Sequence, residues 1–321
     1  MPENTTFEFV GKHLREVIVI GGTTASGKSA LALDLAQVAD GVVINADSMQ
    51  VYQGLSILSA APSAEERQKA PHRLYEIYPP HINGTVVDWL ERAVAEIRTA
   101  WDSGKLPIVT GGTGLYIDNL VNGTTPIPEP DPALRHKILQ LVKSEGAAGL
   151  YARLKVADEE AAKMVSPKDV TRLRRALEIK LQTGRSIADW YRQPLLKKLP
   201  EAHFRIIKII PETEELDKRC YQRFDKMMDA GAVEEVRKLV ALHLDRSLPA
   251  MKMLGVPELL GFIEGRSSLE EAVELAKLHT RQYAKRQRTW FKNKLAADMV
   301  LNEIYMSNKR ILDKILLTQI C

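Results

Sequence analysis

Cysteine is almost missing from this chain. Only Cys220 and Cys321 occur in 321 residues, which excludes a disulfide framework and makes a reducing compartment the expected setting. Long apolar runs are missing as well: no stretch of about 18 uncharged apolar residues is present to span a bilayer. The first residues carry Glu3, Glu8 and Glu16, with no apolar run before Val17. A signal peptide is therefore not expected, and the reading is a cytoplasmic protein without membrane association. His and Cys fall at no metal-ligand spacing, the acids form no cluster suited to zinc or a metal pair, and no Ser–His–Asp arrangement stands out. Internal repeats and low-complexity segments are also lacking. What is left is an ordinary globular composition, 45% hydrophobic and 27% charged, with enough chain for one large domain or two modest ones.

Acid is missing from one segment in particular. Between Lys277 and Lys294 there are seven Lys/Arg and no Asp or Glu, more than the whole net charge of +4, so the remainder is mildly acidic. One concentrated basic segment on such a body points to a localised polyanion site. Arg281, Lys285, Arg288 and Lys292 recur at helical intervals and form a cationic stripe, with Trp290 and Phe291 off it and assigned to the core. Tyr283 is read as a core or rim residue that could also stack on a base.

Along the chain, Val17–Ile20, Val42–Ile44, Leu106–Val109 and Phe204–Ile210 read as short buried strands. Helical periodicity covers Ser29–Ala39, Val86–Asp102, Glu214–Ala230 and Ser268–Lys294. Alternating strands and helices predict an α/β fold, a parallel sheet flanked by helices. Four prolines between Asn122 and Pro132 mark a linker, and from there to about Leu199 only helices are expected. The predicted organisation is a core in two parts, residues 1–123 and 200–321, interrupted by an all-helical insertion domain over 124–199.

Gly22-Thr23-Thr24-Ala25-Ser26-Gly27-Lys28-Ser29 matches G-x-x-x-x-G-K-[ST] between a predicted strand and helix, the pattern of a P-loop. Glycine lets the backbone wrap so that N–H groups converge on phosphate oxygens; the helix N-terminus and Lys28 add positive charge, and Ser29 can offer its hydroxyl to Mg²⁺. A phosphate-hydrolysing enzyme of this type has a second strand ending in an acid. Here Leu106–Val109 runs into Thr110-Gly111-Gly112, and no acid follows until Asp118. The loop is thus read as cradling a diphosphate without activating water, which favours a transferase. Asp47 follows the second buried strand, at the ligand edge of such sheets. Two roles stay open for it from position alone: a helix N-cap for Met49 onward, or a hydrogen-bond acceptor at the site.

Four separate motifs resemble one family. The Gly22–Ser29 loop, Asp47-Ser48-Met49-Gln50-Val51-Tyr52, Gly111-Gly112-Thr113-Gly114-Leu115-Tyr116 and Arg281-Gln-x-x-Lys285-Arg286-Gln-x-Thr289-Trp290, with Arg219, Arg223 and Phe224 before Gly231, resemble the tRNA dimethylallyltransferase (isopentenyltransferase) family. The resemblance runs from about Val17 to Trp290. It implies transfer of a dimethylallyl group from dimethylallyl diphosphate to the exocyclic amine of the adenosine 3′ of the anticodon in tRNA; a monomer is the expected state. It further implies that the loop holds the donor's diphosphate, and that Lys28, Arg223 and Mg²⁺ neutralise the leaving group. Thr113 would hydrogen-bond near the breaking bond and Asp47 would accept the amine proton, with the adenine flipped from its stack. By the same carry-over Asp47, Ser48, Met49, Gln50 and Thr113 meet the base. Arg135, Thr171, Arg172, Leu173, Arg174 and Arg175 on the insertion, and Arg281, Lys285 and Arg286, meet the tRNA. This sequence departs from the family at Thr23, where Pro is usual, at Leu55–Pro62, with Ser59 in place of Thr, and at Gly255-Val256-Pro257. The competing readings are an adenylate isopentenyltransferase acting on free nucleotide, a P-loop small-molecule kinase using ATP, and a non-catalytic RNA-binding module. The first needs neither helical insertion nor basic stripe.

Overall fold

The computed structural model describes residues 15–317; Glu3, Glu8 and Cys321, used above, lie outside them. Six strands, β1 (Glu16–Gly22), β2 (Gly41–Asn45), β3 (His72–Arg73), β4 (Leu106–Gly111), β5 (His203–Ile209) and β6 (Met299–Leu301), pair in the order β3-β2-β4-β1-β5-β6. Every pairing is parallel. A parallel sheet is covered on both faces, so its strands must be apolar at every position. Val17, Ile18, Val19 and Ile20 are accordingly all buried. Their alternation divides them between two cores: Val17 and Val19 join Ile44, Val109 and Ile206, whereas Ile18 and Ile20 join Val43, Ile108 and Ile207.

The first helices follow from these faces. The chain adds α1 (Lys28–Val38), α2 (Ser56–Ser59), α3 (Ala64–Lys69), α4 (Val86–Asp102) and α5 (Gly114–Val121). Leu31, Ala32 and Leu35 of α1 cover the Ile18 face. Trp89, Ala93, Ile97 and Ala100 of α4, with Tyr116, Ile117 and Leu120 of α5, cover the Val17 face. Thr85 caps α4 by accepting from Asp88 N at 3.1 Å, which explains its start at Val86. The two edge strands, β3 and β6, were not expected from sequence. His72 pairs with Val43 in β3; elements of two or three residues carry too little periodicity to be seen.

Register decides where the loops meet. Gly21 lies beside Gly111, and Asn45 beside Thr110, so β1, β4 and β2 finish level with one another. The segments that follow, residues 22–29, 112–113 and 46–48, therefore leave the sheet at the same edge.

A second compact unit spans Asn122–Lys198, between the two halves of the first, which ends at Val121 and resumes at Leu199. It contains α6 (Pro132–Ala157, kinked at Gly146), α7 (Glu159–Met164), α8 (Val170–Thr183) and α9 (Ile187–Tyr191). Each start is specified locally: Asp131, Asp158, Asp169 and Ser186 accept from the first-turn amides of their helices. Ile138, Leu150, Leu154, Leu173, Leu177 and Ile187 make its own core.

The chain then returns through β5 and α10 (Thr213–Asp229), α11 (Ala232–Val240), α12 (Val256–Ile263), α13 (Leu269–Lys294) and α14 (Lys309–Leu317). Ser268 and Glu271 form a capping box at the start of α13. At its end the buried Lys208 of β5 donates to Phe291 O (3.0 Å) and Leu295 O (2.6 Å), a cation at a helix C-terminus. The buried face of α13 reads Ala272, Ala276, Thr280, Ala284, Gln287 and Phe291. Among the described residues no helix is long and apolar enough to cross a membrane.

Candidate active site

The Gly22–Ser29 loop closes on itself. Ser26 Oγ and Lys28 Nζ both donate to Thr23 O, and Gly27 caps α1 with φ 93°, a left-handed geometry that favours glycine. A Cβ there would come within 2.3 Å of Tyr305 O. Tyr305 N donates to Ser26 O at 3.0 Å, so the segment before α14 braces the loop from behind. Thr23 is fully buried, Thr24, Ala25 and Lys28 partly so, and Ser29 stands exposed in the first turn of α1.

Two long-range contacts fix the front of the loop. Arg223, from α10, donates to Thr24 Oγ1 at 2.5 Å, and Thr24 N donates to Gln287 Oε1 at 2.8 Å. Burial lowers the pKa of Lys28 to about 8, an effect offset by Asp47 and reinforced by Arg223. Burial likewise lowers Arg223, with Cys220 and Asp47 acting the other way. Lys28, Arg223 and Asp47 are therefore one electrostatic cluster, with cations held at an energetic cost until an anion arrives.

Asp47 is placed by Asn45. The Asn45 side chain is buried at the end of β2; its Oδ1 accepts from Asp47 N (2.8 Å), and its Nδ2 donates to Asp47 O and Leu74 O (both 3.0 Å). Its own carbonyl accepts from Trp89 Nε1 at 2.8 Å. Asp47 Oδ1 then accepts from Met49 N at 2.9 Å. No helix begins at Met49, so the N-cap alternative is set aside: the carboxylate closes a tight turn and keeps Oδ2 for other work. Thr113 Oγ1 accepts from Ser48 N (2.9 Å) and donates to Ser48 Oγ (3.1 Å), tying the β2 and β4 loops together.

The remaining sequence-derived residues separate. Met49 packs partly buried against the core. Gln50 Nε2 donates to Ser59 O and Ala60 O, which holds the divergent Leu55–Pro62 segment; Glu235 grips the same segment through Ile57 N and Leu58 N. In the helical unit Thr171 and Arg172 are exposed and Arg135 is half-buried. Leu173, expected to face tRNA, is fully buried in that unit's core and packs instead. Arg174 and Arg175 turn toward Glu178, which is 1% exposed, at 3.5 and 3.8 Å; Arg172 pairs with Asp169 instead. Helical spacing could not separate these neighbours because it does not say which side of α8 meets the core.

On α13, Arg281, Lys285 and Arg286 are exposed, with the Arg286 guanidinium 5.8 Å from the Tyr283 ring. The cationic stripe is shorter than the sequence suggests. Lys277 is paired with Asp225 (2.8 Å) and Glu274 (3.0 Å), and Arg288 lies near Glu212 (3.8 Å) and bonds Pro211 O. Phe291 is core and Trp290 packs beside it, as expected. Asn45 and Gln287 were missed as site residues. The available signal was polarity out of place, an Asn closing an apolar strand and a Gln on the apolar face of a helix.

Comparison with known proteins identifies the family. The family model described as IPP transferase matches residues 50–294. A tRNA dimethylallyltransferase of Rhodospirillum centenum is 46% identical over 283 residues, covering 88% of this chain and 90% of the relative. The chain belongs to the tRNA dimethylallyltransferase family. A second tRNA dimethylallyltransferase, from Nitrobacter hamburgensis, is 44% identical over 87% of this chain and 88% of its own. Among solved structures, the tRNA isopentenylpyrophosphate transferase of Bacillus halodurans is similar with a TM-score of 0.67 and 31% identity, covering 95% of this chain and 96% of that one. A eukaryotic dimethylallyltransferase acting on tRNA gives a TM-score of 0.76 at 30% identity, over 86% and 69% of the two chains. The α/β architecture with its parallel sheet is that of the tRNA dimethylallyltransferase family.

Proposed function

We propose that the Gly22–Ser29 loop of this family member cradles the diphosphate of dimethylallyl diphosphate while Asp47 takes the proton of an adenine amine in tRNA. The family is one of EC 2.5.1 transferases, and its activity is the modification of a tRNA adenosine, the one 3′ of the anticodon. The observation that carries the residue assignment is the cluster of Lys28, Arg223 and Asp47 at one sheet edge. The cations face a leaving group that gains charge, and the carboxylate lies beside them to serve the nucleophile. In the step, the allylic C–O bond breaks with its electron pair going to the diphosphate. The adenine nitrogen bonds that carbon, and its proton passes to Asp47. The amine is a weak nucleophile because its lone pair is delocalised, and a positioned base is worth ~10²–10⁴-fold. Thr113, held against Ser48, keeps the Asp47 turn at the β4 end. A kinase or hydrolase reading is disfavoured by β4, which ends in Gly111 without a following acid.

The resemblance implies Mg²⁺. Among the described residues no group of three or more His, Cys, Asp or Glu gathers to hold a metal. Mg²⁺ keeps several waters and substrate phosphate oxygens in its shell and is bound through few protein ligands. Ser29, exposed beside the loop, would hold it through a hard oxygen. Bound there, the ion would supply further charge neutralisation for the diphosphate. Exposed Arg281, Lys285, Arg286, Thr171 and Arg172 are assigned to the tRNA. A tRNA substrate together with the low cysteine content supports the cytoplasm.

Transfer of radiolabel from dimethylallyl diphosphate to unmodified tRNA, with free AMP as competing acceptor, tests this reading. Asp47→Ala should keep donor affinity and lose turnover by ~10²–10⁴-fold. Collapse of donor affinity would assign Asp47 to the donor site, and label entering AMP would remove tRNA from the proposal.

A further inference from the structure

Helix α13 presents its cations outward and one amide inward. Gln287 is 5% exposed, and both ends of its side chain are committed. Oε1 accepts from Thr24 N (2.8 Å) in the phosphate loop, and Nε2 donates to Gly112 O (2.8 Å) in the turn after β4. Gly112 has no room for a side chain: a Cβ would lie 2.2 Å from Gln287 Nε2 and 3.3 Å from Asp47 Oδ2. The amide is thus wedged between the donor cradle and the two loops that carry Thr113 and Asp47. Because Thr24 N is spent on Gln287, that N–H is not offered to phosphate.

We propose that Gln287 is a positioning residue that sets the separation and register of the diphosphate cradle and the Asp47–Thr113 edge. The proposal rests on reading the Gly22–Ser29 loop as the donor site. In-line displacement needs the departing oxygen, the allylic carbon and the adenine nitrogen aligned, and the outer two are governed by different loops. The donor loop follows β1; the Asp47 loop follows β2 and is tied through Ser48 to Thr113 in the loop after β4, and the backbone bonds between β1 and β4 end at the sheet edge. Beyond it Gln287 bridges them. Only a side chain that accepts at one end and donates at the other, at this length, satisfies both backbone groups. An apolar residue would leave the part-buried Thr24 N–H and the buried Gly112 C=O without these partners. The same helix carries Arg281 and Lys285 on its exposed side, so the element that meets tRNA also references the donor loop.

Full-length Gln287→Glu and Gln287→Leu, assayed with dimethylallyl diphosphate and tRNA, test this. Glutamate is isosteric. Ionised, it still accepts from Thr24 N but repels Gly112 O; protonated, it accepts and donates as the amide does. The charged and titratable groups around it are Asp47 across Gly112, Tyr283 one turn earlier on its own helix, Arg223 of α10, which bonds the same Thr24, and Lys28, coupled to Asp47 and Arg223. The expected result is a loss in kcat of roughly 10²-fold for Gln287→Glu at about pH 8.5, with tRNA KM unchanged, as for a small misplacement of reacting groups. Relative to wild type, that loss should shrink as pH falls toward about 5, because burial raises the carboxyl above its ordinary value and lets it regain its proton. Gln287→Leu should lose kcat at every pH. A Glu/wild-type ratio that is flat with pH, or a Leu variant within about twofold of wild type, would overturn the proposal. Failure of wild type itself to turn over dimethylallyl diphosphate would instead sink the donor-site reading. The isosteric variant keeps the test open if Gln287→Leu does not fold.

Discussion

Lys28 carries its charge in a place that disfavours it. Burial brings its pKa from 10.5 down to about 8, with Asp47 raising it and Arg223 lowering it further. Between about pH 8 and 10.5 the unfolded chain therefore binds the extra proton, so this group makes stability rise with pH across that window. Below about 8 its full unfavourable contribution is present. A bound diphosphate reverses the balance and restores the proton. Calorimetry in buffers of different ionisation enthalpy should show proton uptake on donor binding at about pH 8.5, lost in Lys28→Met. Binding enthalpy independent of buffer would place Lys28 away from the diphosphate. The loop containing Lys28 was legible because its chemistry is contiguous. Arg223 beside it was legible only through the family motif, since no local pattern relates α10 to β1.

At the scale of one element, α13 shows why charge counting misleads. Its segment holds seven cations in a row without an acid, yet Asp225 from α10 and Glu212 compensate two of them in space. Arg281 and Lys285 make no ion pair with any described residue, and they are the ones that should release counterions from RNA. Arg281→Ala and Lys285→Ala should each lower the log–log salt slope of tRNA binding by about 0.7–1 with donor KM unchanged, whereas Lys277→Ala should leave the slope alone. Equal slopes for all three would remove α13 from the tRNA surface. The helix itself was plain from its periodicity. Its inward Gln287 was not, because a buried polar group is explained only by its partners.

For the whole molecule, two compact units with separate cores imply separable stability. Leu173 belongs wholly to the core of the 122–198 unit. Leu173→Ala should cost that unit ~2–5 kcal/mol, stripping hydrogen-exchange protection from residues 122–198 while β1, β4 and donor affinity are preserved. Loss of protection in β1 would show the two cores to be one cooperative system. The α/β class and parallel sheet were readable in advance because a strand buried on both faces must be apolar throughout. The edge strands β3 and β6 escaped because they are only two and three residues long.

Sequence alone determined what depends on neighbours in the chain: apolar strands, helical stripes, capping residues and the glycine-lined loop, each set by interactions within a few residues. Tertiary structure decided which polar groups answer one another. Thr24 and Gln287 lie 263 positions apart, and Leu173 is buried one residue away from an exposed Arg172. Satisfying a buried N–H or carboxylate is a demand on space, and periodicity holds no record of who will meet it.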